Sequence, residues 1–461
     1  MRNRTIKTGV FYITLTVLLV VCFCPDVTKA IQIDGLDYEG IAAGFILLFA
    51  IANWICETVP VSVTALIVIA VVPFTGVMDF AESISQSFGN SIFAFFLGVL
   101  ILSSAFQQTS LGKIISSLLF KLAGKTPRAL IFGIMVIGAF LAMWVTEVAA
   151  AAIVFPIALS LAEQAKSRED YSQIGKALML AVAWGCAFGG VATPVATGAN
   201  LIALNYLKEY SGIEISFFQW MKIGIPVCVT LLVTGWILLA RLIRDNSPLE
   251  LEKEEISLGK REKCLSLWFF IAVILWIGGS RIGLGSHHAA LLVGVALFLP
   301  GIGVIQWKDT VNMINWDSII LICAGIVIGN LLFECGVAEW MAKQFFVPEL
   351  MQRGIFIRSV YIVLSVSVLK VVFSSNTVTG VILAPIMISL ADGIGLSAWG
   401  VIAPCIFSSA LSLVVITSSP VNIIPYSARL FTPKDMLRYG SVMTVASALI
   451  IAGWMTVFRV V

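Results

Sequence analysis

The chemistry open to this chain is concentrated in four short polar clusters, each embedded in a long apolar run. Thr146-Glu147-Val148 interrupts residues 129–162, and Ser374-Ser375-Asn376-Thr377 interrupts residues 355–391. The runs TPVATGAN (193–200) and TSSPVN (417–422) break two further apolar stretches. Gly, Pro, Ser and Thr in such places suit an unwound helix. Unwinding frees carbonyls that can coordinate a cation, and the half-helix that restarts offers amide donors and a positive dipole end to an anion. Hydroxyls and Asn amides add neutral donors that grip a carboxylate without burying another charge. A plain Gly/Pro kink, with its hydroxyls bonded back to the helix, accounts for any one cluster. It accounts poorly for four clusters in two matched pairs.

Other chemistries lack their parts. No nucleophile–base pair, phosphate loop or metal-ligand spacing is present, so no enzyme and no cofactor is expected, apart from sodium ions as cargo. His287 and His288 are adjacent and cannot face one another on a single turn, and most cysteines sit inside apolar runs where packing is their role. A net charge of +3 without basic–aromatic interleaving speaks against a nucleic-acid partner.

The elements that must hold the four clusters are membrane helices. Apolar residues make up 59% of the chain and charged residues 12%, about half the charged share of an ordinary soluble domain. The lipid bilayer must solvate much of that surface. Spanning windows recur near 8–24, 39–56, 60–78, 91–120, 175–210, 218–243, 264–282, 287–305, 316–345, 398–428 and 437–458. The windows 129–162 and 355–391 are too long for one span and are broken near the middle, as expected of re-entrant hairpins with polar tips at membrane depth. The fold expected is therefore an all-α polytopic membrane protein of about 11 transmembrane helices plus two re-entrant hairpins. Residues 8–24, with Arg2, Arg4 and Lys7 before them, have the look of a signal peptide, but their length and the closely following span favour a retained helix. With the N-terminus cytoplasmic, twenty Lys/Arg fall inside and eight outside, in keeping with the positive-inside rule. The cell (plasma or inner) membrane is the expected location.

The two halves of the chain are related. Asn90-Ser91-Ile92 with Gly98 matches Asp317-Ser318-Ile319 with Gly325, 227 residues on. Thr146 with Pro156 matches Ser375 with Pro385 at 229, and Thr197-Gly198-Ala199-Asn200 matches Ser419-Pro420-Val421-Asn422 at 222. Phe217 with Gly224 lies against a similar segment, Phe431 to Gly440. In the charge-derived topology the two hairpins open to opposite sides, so the repeat is inverted, which is a transporter signature with its site at the midplane. The divisions expected are 1–38 (N-terminal helix and external loop), 39–243 (first repeat, with its broken helix at 175–210), 244–263 (cytoplasmic linker) and 264–461 (second repeat, with its broken helix at 398–428).

The run Phe373-Ser-Ser-Asn-Thr-Val-Thr-Gly-Val-Ile-Leu-Ala-Pro385 resembles the second Ser-Asn-Thr hairpin of the divalent anion/sodium symporter family, the dicarboxylate, citrate and sulfate carriers of the ion transporter superfamily. Ala192 to Ile202 resembles the family's first Thr-Pro-Pro-Asn segment, and Ser418 to Tyr426 followed by Phe431 to Gly440 resembles the second. The resemblance runs from about residue 40 to the end. It implies substrate-carboxylate ligands at Asn376 and Thr377, and at Thr197, Gly198, Ser419 and Pro420 in the unwound helices. It implies cation binding or coupling at Thr146, Glu147 and Ala196 on one side, and at Ser375, Asn376 and Ser418 on the other. It also implies a homodimer in which a transport domain slides against a scaffold. The function expected is cation-coupled secondary transport of a small divalent, dicarboxylate-like anion, driven by sodium or protons through elevator-type alternating access. The alternatives are a cation-independent anion exchanger, a channel-like or arsenite-type anion permease, and a membrane enzyme or sensor built on the same scaffold.

The departures from the family pattern carry information. Thr146-Glu147-Val148 stands where the first Ser-Asn-Thr belongs, so Val148 has no donor for a carboxylate. Ala142 and Val371 stand where a hydroxyl would help to hold sodium. An ionised Glu147 at membrane depth costs roughly 2.5–3.5 kcal/mol on insertion scales. Three roles are open to it: a proton-coupling carboxylate, a charged sodium ligand, or a structural pair with Lys370 or a hairpin dipole. Lys370 is expected to snorkel or pair rather than bind substrate. Gln107, Gln108, Asn330 and Glu334 read as interhelical glue, and Trp316-Asp317 as a helix start capped by Asp317.

Overall fold

The computed structural model describes residues 2–29, 31–56, 58–112, 114, 124–249, 259–279, 283–371 and 375–460. Among the described residues all regular secondary structure is helical, apart from one isolated bridge between Ile33 and Leu36. Eight of the described helices are long and apolar enough to cross a membrane, with shorter apolar helices between them. Arg2–Phe23 packs along Tyr38–Cys56, where Asn53 Nδ2 donates to Thr14 Oγ1 at 3.1 Å.

The first hairpin consists of Pro127–Ala142 and Glu147–Gln164. Thr126 starts it by accepting from the Ala129 amide, with Pro127 at the first helical position, where a missing N–H costs nothing. Residues 143–146 turn the chain, and Thr146 caps the second arm by accepting from Ala149 N at 3.3 Å. The second hairpin consists of Ile355–Leu369 and Asn376–Gly393, its second arm capped by Ser375 through Val378 N at 3.4 Å. Phe373 and Ser374 of that tip lie outside the described residues. Pro156 and Pro385 occupy matching places inside the two second arms.

The two broken helices are built alike. Tyr171–Ala192 stops at Thr193, whose extended backbone is what a following proline imposes. A short 3₁₀ turn, Pro194–Ala196, leads to extended Thr197, which caps Gly198–Ser211 through Asn200 N at 3.3 Å. In the second half Ala398–Ser409 stops, a 3₁₀ turn covers Ile416–Ser418, and extended Ser419 caps Pro420–Tyr426 through Val421 N at 3.3 Å. Each break is tied by an asparagine. Asn200 Nδ2 donates back to Gly190 O and Thr193 O, both at 3.0 Å. Asn422 Nδ2 donates to Ser412 O at 2.7 Å and Val415 O at 3.2 Å, reaching back the same ten and seven residues. The next long helices, Phe217–Ala240 and Pro433–Val457, each press a glycine on a break: Gly224 lies against the Val191 carbonyl and Gly440 against the Leu413 carbonyl. A side chain at either position would force the two backbones apart.

Packing is crosswise. Gly198–Ser211, from the first break, lies along the second hairpin's Asn376–Gly393. Pro420–Tyr426, from the second break, lies on the first hairpin's Glu147–Gln164 and on Tyr171–Ala192. Tyr206, fully buried, donates its hydroxyl to the Gly325 carbonyl and to Ile326 O, which fastens Gly198–Ser211 to Trp316–Glu334.

Several details differ from the sequence reading. The 60–78 window is a helix, Val61–Val71, followed by a 3₁₀ turn that ends at left-handed Gly76. The 316–345 window is two helices, Trp316–Glu334 and Val337–Phe345, separated at Gly336, whose positive φ no longer side chain adopts cheaply. The cap of Trp316–Glu334 is Asn315, through Ser318 N at 3.1 Å, and Asp317 instead accepts a hydrogen bond from Ser62. Gln108 and Asn330 do join helices, through Thr310 Oγ1 at 3.1 Å and Gln86 Oε1 at 2.8 Å. The far end of the 91–120 window and residues 250–258 of the 244–263 segment lie outside the described residues. Residues 245–247 are held by Arg168, which meets Asp245 Oδ2 at 2.7 Å and donates to Ser247 O and Oγ at 3.0 and 2.9 Å.

Candidate substrate and cation site

Glu147 and Asn376 are the first helical residues of the two hairpins' second arms, and they meet. The Asn376 amide nitrogen donates to Glu147 Oε1. Residues 229 apart, at the same place in each half, thus touch tip to tip in a buried position; Glu147 is 6% and Asn376 5% exposed. Glu147 Oε2 has no hydrogen-bond partner among the described residues. It faces Gly190, where a Cβ would stand 3.1 Å from that oxygen, 3.3 Å from Thr197 Cγ2 and 3.5 Å from Ala410 Cβ. Gly190 is what lets the carboxylate lie against the first broken helix.

The other face of Asn376 meets the second broken helix and a lysine. Asn376 Oδ1 accepts from Lys370 Nζ at 2.5 Å and from Ser412 Oγ at 2.9 Å. Lys370 Nζ also donates to the carbonyl of Ser409, which the end of Ala398–Ser409 leaves free. Ser412 Oγ lies 3.3 Å from Ser418 O, linking the tip to the 3₁₀ turn. Lys370 does not snorkel: it is 2% exposed and turned inward. It is joined to Glu147 through the Asn376 amide, in the order ammonium, amide, carboxylate. An arrangement of that kind compensates two buried charges while spreading them over three side chains.

Asn376 and Glu147 sit at the centre, and Thr197 flanks them beside Gly190. Thr377 lies against Gly198, whose Cβ would come 2.9 Å from Thr377 Oγ1 and from Ile322 Cδ1. Thr146 and Ser375 adjoin this centre in the chain and Ser419 opens the helix after the second break, but the hydroxyls of all three are engaged as helix caps. Ser418 is buried and bonds back to Val415 O at 2.6 Å, and Ala196 is wholly buried inside its turn. Pro420 is exposed and opens Pro420–Tyr426 rather than facing the tip cluster. The Asn376 amide is not idle, as a waiting substrate ligand would be: both its ends are already bonded within the protein.

Three contributors were not singled out from the sequence. Ser412 is the repeat mate of Gly190, so the 222-residue offset pointed to it. The Ser409 carbonyl left no side-chain signal. Trp144, in the first hairpin's turn, stacks on Trp276 and Phe217 at 6.4 and 6.5 Å, against the helices Lys260–Gly278 and Phe217–Ala240.

Comparison with known proteins places this geometry. Residues 7–460 match the model of the sodium:sulfate symporter transmembrane region. A sodium-dependent dicarboxylate transporter, SdcS, of Staphylococcus saprophyticus is 26% identical over 455 residues, covering 91% of this chain and 86% of its own length. The SdcS of a bovine Staphylococcus aureus strain is 26% identical over 451 residues with the same coverage. Among solved structures, the YdaH transporter of Alcanivorax borkumensis matches with a TM-score of 0.57 at 12% identity, over 81% of this chain and 87% of its own. MtrF of Neisseria gonorrhoeae, described among antimetabolite efflux pumps, matches at 0.53 and 10% identity over 96% and 94%. These two share the fold. The chain belongs to the sodium:sulfate symporter family, the divalent anion:sodium symporters, and is a multi-pass secondary active anion transporter rather than an enzyme.

Proposed function

We propose that the protein moves a small divalent anion of dicarboxylate type, coupled to a cation, by elevator-type alternating access. The observation that carries this reading is the convergence of both hairpin tips and both helix breaks on one buried polar cluster, with Asn376 bonded to Glu147 and Thr377 seated on Gly198. The paired breaks, clasped by Asn200 and Asn422 in the same way, support an inverted repeat whose halves exchange roles as the site faces one side and then the other. The dicarboxylate class is that of the SdcS relatives. In this reading a substrate carboxylate takes the place of Glu147 at the Asn376 amide, while Thr377, Thr197, Ser419 and the amides opening Gly198–Ser211 hold the remainder. The bare Glu147 Oε2 is the natural seat for the coupling cation, sodium or proton. The protein works as a homodimer in the cell membrane with its N-terminus in the cytoplasm, the side indicated by its Lys/Arg distribution.

Cation-independent anion exchange is the second reading, and Lys370 favours it, because a fixed positive charge already sits among the acceptors a mobile cation would use. Uptake of labelled succinate, citrate and sulfate into proteoliposomes separates the two. Uptake driven by an inward sodium or proton gradient supports coupling. Uptake that needs only unlabelled anion inside supports exchange, and failure of all three anions removes the substrate class.

A further inference from the structure

We infer that the Lys370 ammonium is a tethered cation that fills the second-half cation site, so that the wild-type protein draws no sodium ion there. This deepens the proposed function and rests on its cation coupling, with the second cation position taken where the family resemblance implies one, at Ser375, Asn376 and Ser418. A cation at that place needs oxygen acceptors stripped of water. The tip supplies Asn376 Oδ1 and the broken helix supplies the Ser409 carbonyl, and both are taken by Lys370 Nζ, the former at 2.5 Å. An ammonium has three donors and no acceptor, so it satisfies the same oxygens a metal cation would. Lys370 also lines a small cavity with Ser367, Ser412, Ser418 and Thr444 among apolar neighbours.

The placement is structural as well as electrostatic. Lys370 follows immediately on Ile355–Leu369, at the inner end of the second hairpin's first arm, and its stem is buried with the head. The charge therefore moves with the hairpin and cannot be released, unlike a sodium ion. Glu147, at the matching tip of the other half, supplies the opposite charge across Asn376. The empty carrier thus contains its own neutral pair, and the second-half site contributes a constant charge on both sides of the membrane. A coupling cation, where one is used, is confined to the Glu147 side of the cluster.

Removing the lysine should open the site. In purified Lys370→Ser, sodium chloride against choline chloride at equal ionic strength should raise the melting temperature progressively with sodium concentration, by clearly more than any shift that a cation on the Glu147 side gives wild type and Lys370→Arg. Where Lys370→Ser does not accumulate, the double variant Glu147→Gln/Lys370→Ser carries the same test, because it leaves no unpaired buried charge. A wild-type sodium shift as large as the variant's overturns the inference, as does the lack of any sodium response in both variants. A further readout is succinate uptake. If Lys370 instead binds the anion directly, Lys370→Ser raises KM at every sodium concentration and gains no sodium dependence, which also overturns it. A sodium-specific melting shift in a protein that carries none of the tested anions leaves this inference standing and removes the proposed substrate class.

Discussion

Glu147, Asn376 and Lys370 form a chain in which each charge is balanced only through the amide between them, so substitutions at the two ends should be strongly non-additive. Glu147→Gln keeps an acceptor for Asn376 but leaves the Lys370 ammonium without a counter-charge, though still with Asn376 Oδ1 and the Ser409 carbonyl. Lys370→Met leaves the Glu147 carboxylate with one donor and a bare Oε2. Leaving a buried charge uncompensated costs roughly 3–5 kcal/mol. The first variant belongs near the lower end of that range and the second near the upper. The double variant removes both charges and leaves mainly the Ser409 carbonyl without its donor, about 1–2 kcal/mol. The coupling between the sites, the two single costs together less the double, should therefore be about 6 kcal/mol. For a chain of 461 residues, melting falls by on the order of 1 °C per kcal/mol. Thermal melts of the four proteins in one detergent should show each single variant lowered by several degrees and the double lowered by less than either. Effects that add to within about 0.5 kcal/mol would refute the bridged pair.

Other outcomes follow from the same geometry. Asn200→Ala and Asn422→Ala each strip two carbonyls of a buried donor and should cost about 1–3 kcal/mol apiece, to similar extents, read as loss of melting temperature. Gly198→Ala brings a methyl to 2.9 Å from Thr377 Oγ1 and Ile322 Cδ1. That crowding, on the order of 1–3 kcal/mol, should weaken apparent anion affinity at least about fivefold; an unchanged KM would remove Thr377 from the site. The Ser247 backbone N–H, then its hydroxyl and the Arg168 charge, hold Asp245 below the ordinary carboxylate range. A lowered carboxylate stabilises above its unfolded value and loses that contribution as pH falls through the folded one. Protection of residues 245–247 from proteolysis should therefore be flat from neutral pH down to the usual aspartate range and fail only below it. Arg168→Ala should expose the same segment to proteolysis at neutral pH.

What the sequence determined by itself was local. Thr193-Pro194, Ser419-Pro420 and the hydroxyls of Thr146 and Ser375 restrict φ and ψ or cap an amide within three residues, so breaks and hairpin tips could be read from residue type alone. The offsets of 222 and 229 residues were legible for the same reason, since each half repeats its own local signals. Composition alone assigned the chain to the bilayer, because so much apolar surface has no other solvent. Only the tertiary structure decided which of these signals meet. That Asn376 is engaged by Glu147 and Lys370, that Ser412 and a bare backbone carbonyl join them, and that Pro420 stays outside depends on how long apolar helices pack crosswise. Apolar helices pack by shape, without a sequence period that marks a partner two hundred residues away. Lys370, for which both snorkelling and pairing were open in the sequence, is held inward by acceptors that exist only once the second helix has broken beside it.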